Sequence, residues 1–255
     1  MTRRALVRRP GPGLAEGLVT HIERRPVDVD LALRQWEQYV ATLRDHGWAT
    51  VEVPAADDCP DAVFVEDTVV MVGADAAVLT RPGAASRRSE VAAVETVVRE
   101  LGKTLHRIEA PGTLDGGDVL KVGDVVYVGR GGRTDDEGIR QLGRIVATYG
   151  MRVVPVDVSR VLHLKSAVTA LPDGTVVGYP PLVDDPTVFP DFLAVPEESG
   201  SHVVVFDESR VLMASDAPES AKLFRSRGLE PVCVEISEFE KLEGCVTCLS
   251  VRVRD

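Results

Sequence analysis

Residues 69–82, VVMVGADAAVLTRP, decide the fold, because they form two β-rich runs joined by a Gly/Asp turn. The next segment, SRRSEVAAVETVVRELG at 86–102, carries apolar residues at helical spacing. A short strand, TLHRIEA, follows that helix. The order predicts a unit of two strands, a helix and a further strand, which we call a ββαβ module.

The module recurs along the chain. A second hairpin, VLKVGDVVYVGR, is followed by a helix for which Thr134 is the candidate N-cap, and then by the strand MRVVPVDV. A third hairpin turns at Asp173-Gly174, and a fourth, HVVVFDESRVLMAS, leads into another helix and strand. The four hairpins begin near Val69, Val119, Val168 and Val203. Such a series indicates an internal repeat.

A fifth module can be assembled from the two ends of the sequence. Pairing CLSVRVR (248–254) with ALVRRP (5–10) supplies its hairpin, and the segments DLALRQWEQYVATLRDHG and WATVEVP supply its helix and last strand. We therefore predict a single catalytic domain over residues 1–255, an α/β propeller of five ββαβ modules closed into a pseudo-symmetric barrel. The alternative, a doubly wound parallel sheet, expects one strand between successive helices, whereas here there are repeatedly two.

Composition limits the partners of the chain. Its 29 Lys and Arg against 40 Asp and Glu give a net charge of −11, which argues against a nucleic-acid partner and is compatible with a small cationic ligand. The longest apolar runs are far shorter than the roughly 20 residues of a membrane helix. Four cysteines and no signal-like N-terminal segment predict a reducing, cytoplasmic compartment. We expect no membrane contact, no cofactor, and a monomer or homodimer that binds a small molecule.

Equivalent positions of repeated modules face one axis, so the residues just before each first hairpin strand are expected to meet. Four of these stretches are polar, namely PDAVFVED (60–67), GTLDGGD (112–118), VLHLKS (161–166) and EGCVTC (243–248). The fourth hairpin is preceded only by ESGS. Taken singly, each stretch also has a plain structural explanation, such as a turn, a glycine loop or a core histidine. Their shared position favours a site in which Asp115, His163 and Cys248 converge.

Cys245 and Cys248 are open to three interpretations: half of a metal site, a redox couple, or one nucleophile with a neighbour. A structural zinc site needs four ligands, and the other thiols, Cys59 and Cys233, form no second Cys-x-x-Cys. A redox couple is expected at a helix N-terminus, whereas this pair leads into an alternating strand pattern. We favour a Cys248 thiolate with a histidine as acid/base and a carboxylate to orient the imidazole, and we expect no metal.

At these positions the sequence resembles the dimethylarginine dimethylaminohydrolase family of guanidine-modifying enzymes. The motifs DxVFVED, TRPGAxSRR, LDGGD, GRxxRT, LHLK and GxxTC occur in the family's order across nearly the whole chain. The resemblance implies the same five-module propeller. It also implies hydrolysis of Nω-methylated L-arginines to L-citrulline and a methylamine through a covalent S-alkylthiouronium intermediate on cysteine.

Carried over by motif position, the resemblance implies the same three catalytic residues, with Cys248 as nucleophile, His163 as general acid/base and Asp115 as the orienting carboxylate. It also implies a set of substrate-binding side chains. A pair of carboxylates would hold the guanidinium, because its planar fork of N–H donors matches them. A third acid would lie near the substrate's amino end, and two arginines would bind its α-carboxylate. Glu66 and Asp67 are the pair for the guanidinium, Asp61 is the third acid, and Arg87 and Arg133 are the two arginines.

Two further features bear on regulation and access. The glycine- and proline-rich PGPGLAEGL (10–18) suits a mobile lid, and Leu14 matches the family's lid leucine. The alternative is a plain connection between a strand and a helix. Cys245 stands where relatives usually carry glycine or an aliphatic residue, so an inactivating link between Cys245 and Cys248 under oxidation is a hypothesis.

Two rival functions remain open from the sequence. A hydrolase or deiminase that acts on arginine or another small guanidine would share this chemistry, and analysis of the products separates it. A non-catalytic binding propeller is the rival of another class, but the joint presence of a cysteine, a histidine and an aspartate at equivalent positions argues against it.

Overall fold

The computed structural model describes residues 3–254, and in that range the chain forms five small sheets of three strands each. The strands are β1 (Arg3–Val7), β2 (Ala49–Glu52), β3 (Val69–Val72), β4 (Ala76–Leu79), β5 (Thr104–Arg107), β6 (Val119–Val122), β7 (Val125–Arg130), β8 (Arg152–Asp157), β9 (Val168–Ala170), β10 (Val176–Gly178), β11 (Phe192–Ala194), β12 (Val204–Val205), β13 (Arg210–Ala214), β14 (Glu230–Val234) and β15 (Val251–Arg254). The helices are α1 (Val29–Asp45), α2 (Val91–Glu100), α3 (Asp136–Ala147), α4 (Pro218–Ser226) and α5 (Ser237–Glu240). None of the helices in this range is long and apolar enough to cross a membrane.

All five sheets share one connectivity. An inner strand pairs antiparallel with a middle strand, and the middle strand pairs in parallel with an outer strand, as β3, β4 and β5 do. The other four sheets repeat this pattern. The five-module propeller predicted from the repeat is therefore confirmed. The doubly wound alternative is wrong, because the sheets between residues 3 and 254 never extend beyond three strands.

The fifth module closes the ring. Strands β1 and β15 pair antiparallel, with Leu6 opposite Val251, and β1 pairs in parallel with β2 on its other edge. This is the pairing predicted from the two ends of the sequence. Cys248 lies just before β15, so closure of the ring also places the candidate nucleophile.

The third module departs from the predicted ββαβ pattern. Between β10 and β11 the chain forms two short 3₁₀ turns, Pro180–Leu182 and Pro186–Val188, in place of an α-helix. Proline lacks an N–H donor and clashes with the preceding helical turn. The helix expected in every module is therefore absent here because of the prolines at 180, 181, 186 and 190.

Each module packs apolar side chains into a core of its own. In α2, Val91, Val94 and Val98 recur every three or four residues and cover Val69 and Leu79 of the neighbouring sheet. Burial of one such valine contributes about 1.5–3 kcal/mol. Five clusters of this kind surround the ring and hold the inner strands in place.

The N-cap of α3 differs from the prediction by one residue. Asp135, not Thr134, caps the helix, because its side chain accepts a hydrogen bond of 2.7 Å from the backbone N–H of Gly138. Thr134 is buried, and its hydroxyl donates to Asp118 at 2.6 Å and accepts from the backbone N–H of Asp115 at 3.1 Å. The threonine therefore connects the start of the helix to the polar residues that precede β6.

Candidate active site

The polar residues that precede the inner strands surround one small, closed pocket. Its walls include Asp61, Asp67, Arg133, His163 and Cys248. The pocket has a volume of about 10 Å³, which holds about one water molecule. A ligand as large as an amino acid therefore needs the side chains that cover the pocket to move.

His163 borders the pocket and forms a buried pair with Asp115, which lies behind the pocket wall. His163 Nε2 lies 2.9 Å from Asp115 Oδ2, and the other Asp115 oxygen accepts from the backbone N–H of Gly83 at 2.9 Å. Burial lowers the pKa of His163, but the charge of Asp67 and the hydrogen bond to Asp115 outweigh it, so that the pKa rises to about 9. His163 is therefore an imidazolium at neutral pH and can give up a proton.

Asp67 is held as a carboxylate. Arg87 Nη1 donates to Asp67 Oδ2 at 2.6 Å, and the backbone N–H of Gly117 donates to Oδ1 at 2.9 Å. Burial raises the pKa of Asp67, yet the charges of His163 and Arg87 lower it to about 2. Arg87 also bonds to Glu90 and to two backbone carbonyls. Because most Arg87 donors are engaged within the protein, its contact with a substrate carboxylate stays a prediction.

Asp61 and Arg133 also border the pocket. Asp61 Oδ1 accepts from the backbone N–H of Leu18 at 2.9 Å, and burial raises the pKa of this carboxyl. Arg133 Nη1 lies 3.8 Å from Asp115 Oδ2. Arg133 is the more available of the two predicted arginines, because this long contact is weak compared with the ion pairs of Arg87.

The two cysteines are buried side by side as free thiols. Cys245 Sγ and Cys248 Sγ are 3.3 Å apart, and the backbone N–H of Cys248 donates to the Cys245 carbonyl at 3.0 Å. Either sulfur can be the donor of this contact, and Cys245 Sγ also lies 4.0 Å from the Lys165 carbonyl oxygen. The contact with Cys245 and burial raise the pKa of Cys248, so its thiol form is favoured.

Glu66 lies outside the pocket predicted for it. Its Oε1 atom lies 2.6 Å from Lys165 Nζ and 2.6 Å from Arg252 Nη2, and these side chains line a different cavity. Glu66 and Asp67 lie in a 3₁₀ turn, Val65–Thr68, which points successive side chains about 120° apart. The predicted guanidinium contact of Glu66 is corrected accordingly, since only Asp67 of the pair borders the pocket.

The lid leucine is also assigned to another position. Leu14 is fully buried in a hydrophobic cluster. Among the described residues, 3–254, Leu18 borders the pocket and Leu14 does not. Behind Leu18, the backbone N–H groups of Thr20 and His21 donate to Glu243 at 2.6 and 2.8 Å. This segment covers the site, and Leu18 replaces Leu14 as its candidate contact with a ligand.

Asp118 is the functional candidate that sequence reasoning left unassigned. It is fully buried, its Oδ1 accepts from the backbone N–H of Leu164 at 2.9 Å, and burial raises its pKa to about 6. The contact fixes the residue that follows His163. Its signal was present in the motif LDGGD, where Asp118 directly precedes the inner strand.

One group of side chains could in principle hold a metal ion. Asp67, Asp115 and His163 offer ligand atoms that all lie within 4.8 Å of one another. Both carboxylates already accept hydrogen bonds, Asp67 from Arg87 and Asp115 from the imidazole. As arranged here, the group is an acid/base pair with a second carboxylate close by.

Comparison with known proteins agrees with this geometry. The chain is 63% identical to the N(G),N(G)-dimethylarginine dimethylaminohydrolase of Streptomyces coelicolor, over 100% of this chain and 98% of that protein. The chain belongs to the dimethylarginine dimethylaminohydrolase family. It is 34% identical to the member of that name from Pseudomonas aeruginosa, over 99% of this chain and the whole of that protein. No protein-family model matches it.

Solved structures of the family share the fold. A Cys-to-Ser variant of the Pseudomonas aeruginosa enzyme in complex with citrulline superposes with a TM-score of 0.91 at 32% identity, covering 99% of each chain. A second structure, the S-methyl-L-thiocitrulline adduct of a His-to-Gly variant of dimethylarginine dimethylaminohydrolase, gives 0.92 at 32% identity, covering 99% of this chain and 100% of that one. The N-terminal domain of a cyanobacterial arginine dihydrolase gives 0.88 at 20% identity, over 100% and 98% of the two chains, which shows the fold alone.

Proposed function

We propose that the chain hydrolyses Nω-methylated L-arginines, such as asymmetric dimethylarginine and monomethylarginine, to L-citrulline and the corresponding methylamine. The observation that carries the proposal is the buried pocket in which Cys248 meets the hydrogen-bonded pair of His163 and Asp115, next to the carboxylate of Asp67. The family membership at 63% identity supports the same reaction.

In this mechanism the Cys248 thiolate attacks the guanidinium carbon, and the carbon–nitrogen bond to the methylated amine breaks. The imidazolium of His163 gives its proton to the departing amine. The resulting thiouronium is then hydrolysed by water, which neutral His163 activates, and the thiolate is restored. Asp67 stabilises the positive charge of the guanidinium, because it stays ionised within the buried site.

The thiolate has to be formed when the substrate binds. The contact with Cys245 and burial favour the protonated form of Cys248. A guanidinium bound between Cys248 and Asp67 would reverse this preference, because a nearby cation favours an ionised thiol, and the thiol proton would pass to water because His163 is already protonated. We therefore assign the substrate's own charge a part in activating its nucleophile.

We assign the remaining contacts to the cover side of the pocket. Arg133 binds the substrate α-carboxylate, and Asp61 lies near its amino end, as the family motif implies. Leu18 closes over the bound substrate. Arg87 holds Asp67 and is the second arginine predicted to bind the α-carboxylate.

We also propose that residues 1–255 act as one catalytic domain, because the four modules that supply Asp67, Asp115, His163 and Cys248 cannot form the pocket separately. The four thiols suit the cytoplasm, and the substrate is a small molecule. We propose a monomer or homodimer.

Citrulline release from asymmetric dimethylarginine, monomethylarginine and arginine tests the proposal. We expect the wild-type protein to act on the methylated substrates and Cys248→Ser to be inactive. Cys233→Ser, which changes an exposed thiol, is the matched control and should keep full activity. Preferential release from arginine would move the chain to the deiminase reaction. No release by reduced, folded protein would favour a binding propeller.

A further inference from the structure

A second cavity lies inside the ring. It has a volume of about 180 Å³, and all five inner strands contribute to its walls, through Met71 of β3, Lys121 of β6, Thr169 of β9, Val204 of β12 and Arg252 of β15. Because each module supplies its inner strand, the cavity lies on the axis of the propeller. His163 and Cys248 border the other pocket, at the opposite side of the Glu66–Asp67 turn.

The second cavity is strongly cationic. Four basic side chains line it, Lys121, Lys165, Arg252 and Arg254, against the single carboxylate of Glu66. The chain as a whole carries a net charge of −11, so this excess of positive charge runs against the general composition. A local excess of one sign in a cavity attracts ligands of the opposite sign.

Two of the four cations have no acidic partner. Glu66 Oε1 takes both Lys165 and Arg252, each at 2.6 Å. Lys121 donates to the backbone carbonyl of Met71, and Arg254 donates to that of Val205. Within residues 3–254, neither Lys121 nor Arg254 lies within 4.0 Å of a carboxylate oxygen. Their charges are therefore available to a ligand.

The cations that line this cavity repel one another. Desolvation and the charges of Lys165, Arg252 and Arg254 lower the pKa of Lys121 to about 8. Desolvation and Arg252 likewise lower the pKa of Arg254. Both residues are nonetheless exposed to solvent, so a ligand from solution can reach them. Apolar inner-strand residues form much of the remaining wall, which strengthens electrostatic attraction inside the cavity.

We propose that this axial cavity is a binding site for a small tetrahedral dianion of the phosphate or sulfate class. Lys121 and Arg254 bind its oxygens directly, and Lys165 and Arg252 add attraction while they hold Glu66. The volume of about 180 Å³ is more than ten times the roughly 10–15 Å³ that a cavity needs to hold one water. The cavity therefore accepts an oxyanion together with some water.

Calorimetric titration of the purified, full-length protein with inorganic phosphate at pH 7 and constant ionic strength tests the site. We expect saturable binding to the wild-type protein, and a parallel titration with sodium sulfate shows which of the two anions is preferred. Lys121→Gln and Arg254→Gln should each weaken binding by about tenfold or more, as loss of a charge-assisted contact does. Lys222→Gln, which removes an exposed lysine paired with Glu219 on α4, is the matched control and should bind like the wild type.

The substrate pocket offers a competing explanation, because Arg133 could also attract phosphate. Arg133→Gln should leave the titration unchanged if the anion binds on the axis. Loss of binding in Arg133→Gln together with normal binding in Lys121→Gln would place the anion in the substrate pocket and overturn the proposal. The proposal would also be overturned if neither phosphate nor sulfate bound at about 10-fold molar excess or at the highest concentration that the calorimeter can measure.

Discussion

Replacement of Asp115 by Asn tests the charge coupling at the centre of the active site. The substitution keeps the size of the side chain and an oxygen that can accept from His163 Nε2, but it removes the negative charge 2.9 Å from the ring. His163 should then lose much of its affinity for a proton. The consequence is a neutral imidazole at the pH where the proposed mechanism needs an acid.

The size of the effect follows from the geometry. Two charges centred about 4 Å apart interact by about 4 kcal/mol at an effective dielectric constant of about 20. That free energy corresponds to about 3 pKa units. The charge of Asp67 makes the largest single contribution that raises the pKa of His163, so the pKa, about 9 in the folded protein, should fall in Asp115→Asn toward a lower limit of about 6. At that limit the protonated fraction at pH 8 would drop from about nine-tenths to about one-hundredth.

Nuclear magnetic resonance titration of the imidazole nitrogens measures this pKa directly. The sequence has five histidines, so His163→Gln assigns the signal. The titration is best made in a Cys248→Ser background, because this removes the other group of the proposed acid/base mechanism that could titrate in the same pH range. Asp136→Asn, at an exposed carboxylate, is the control. An unchanged His163 pKa in Asp115→Asn would refute the reasoning, and Asp115 would then act through position alone.

Four further outcomes are expected. The pKa of His163 is higher in the folded protein than in the unfolded chain, so its contribution to stability is complete below about pH 6.5 and is lost as the pH rises through about 9. The free energies of unfolding of wild type and His163→Gln, measured with denaturant, should therefore differ by about 3 kcal/mol less at high pH than at low pH. Gly117→Ala places a Cβ 2.7 Å from His163 Nδ1, and kcat should fall by about 100-fold while the protein stays folded by circular dichroism. Arg133→Gln should raise KM by about tenfold or more with a smaller change in kcat, and an unchanged KM would contradict the carboxylate contact. Hydrogen peroxide should join Cys245 and Cys248 with loss of two hydrogens by mass spectrometry, and dithiothreitol should restore wild-type activity. In Cys245→Ser the Cys248 thiolate has no resolving thiol, so excess peroxide should carry it beyond the sulfenic acid to the sulfinic acid, which dithiothreitol does not reduce.

The fold was predictable because its signals are local. Three of the four hairpins pair two apolar runs across a turn that contains a glycine in the left-handed region, namely Gly73 (φ 61°), Gly123 (φ 59°) and Gly174 (φ 89°), whereas the fourth turns through residues 206–209 without a glycine. The recurrence of that signal led to the ring and to its closing pair of strands. The prolines between β10 and β11 also indicate that the third module lacks a helix, because proline breaks helices even where the repeat predicts one.

The site was predictable where module position decides it, and not where a turn decides it. Asp115, His163 and Cys248 each stand before an inner strand, so the repeat brings them together. Glu66 and Asp67 are adjacent in the chain, but the 3₁₀ turn directs them into different cavities. Leu14 and Leu18 lie in a segment without periodicity, where a family motif alone placed the contact four residues too early. The direction in which each of these side chains points depends on backbone angles that the residue types alone do not specify.

The pairing of β1 with β15 has a kinetic consequence. Closing the chain between Leu6 and Val251 costs about 5 kcal/mol of loop entropy, from (3/2)RT ln n. Pairings of such large sequence separation form slowly and late in folding. Cys248 directly precedes β15, so a chain that has formed its other four modules still lacks a placed nucleophile. The onset of catalysis during refolding would thus report the last joining event of the polypeptide, and it should lag behind the recovery of secondary structure.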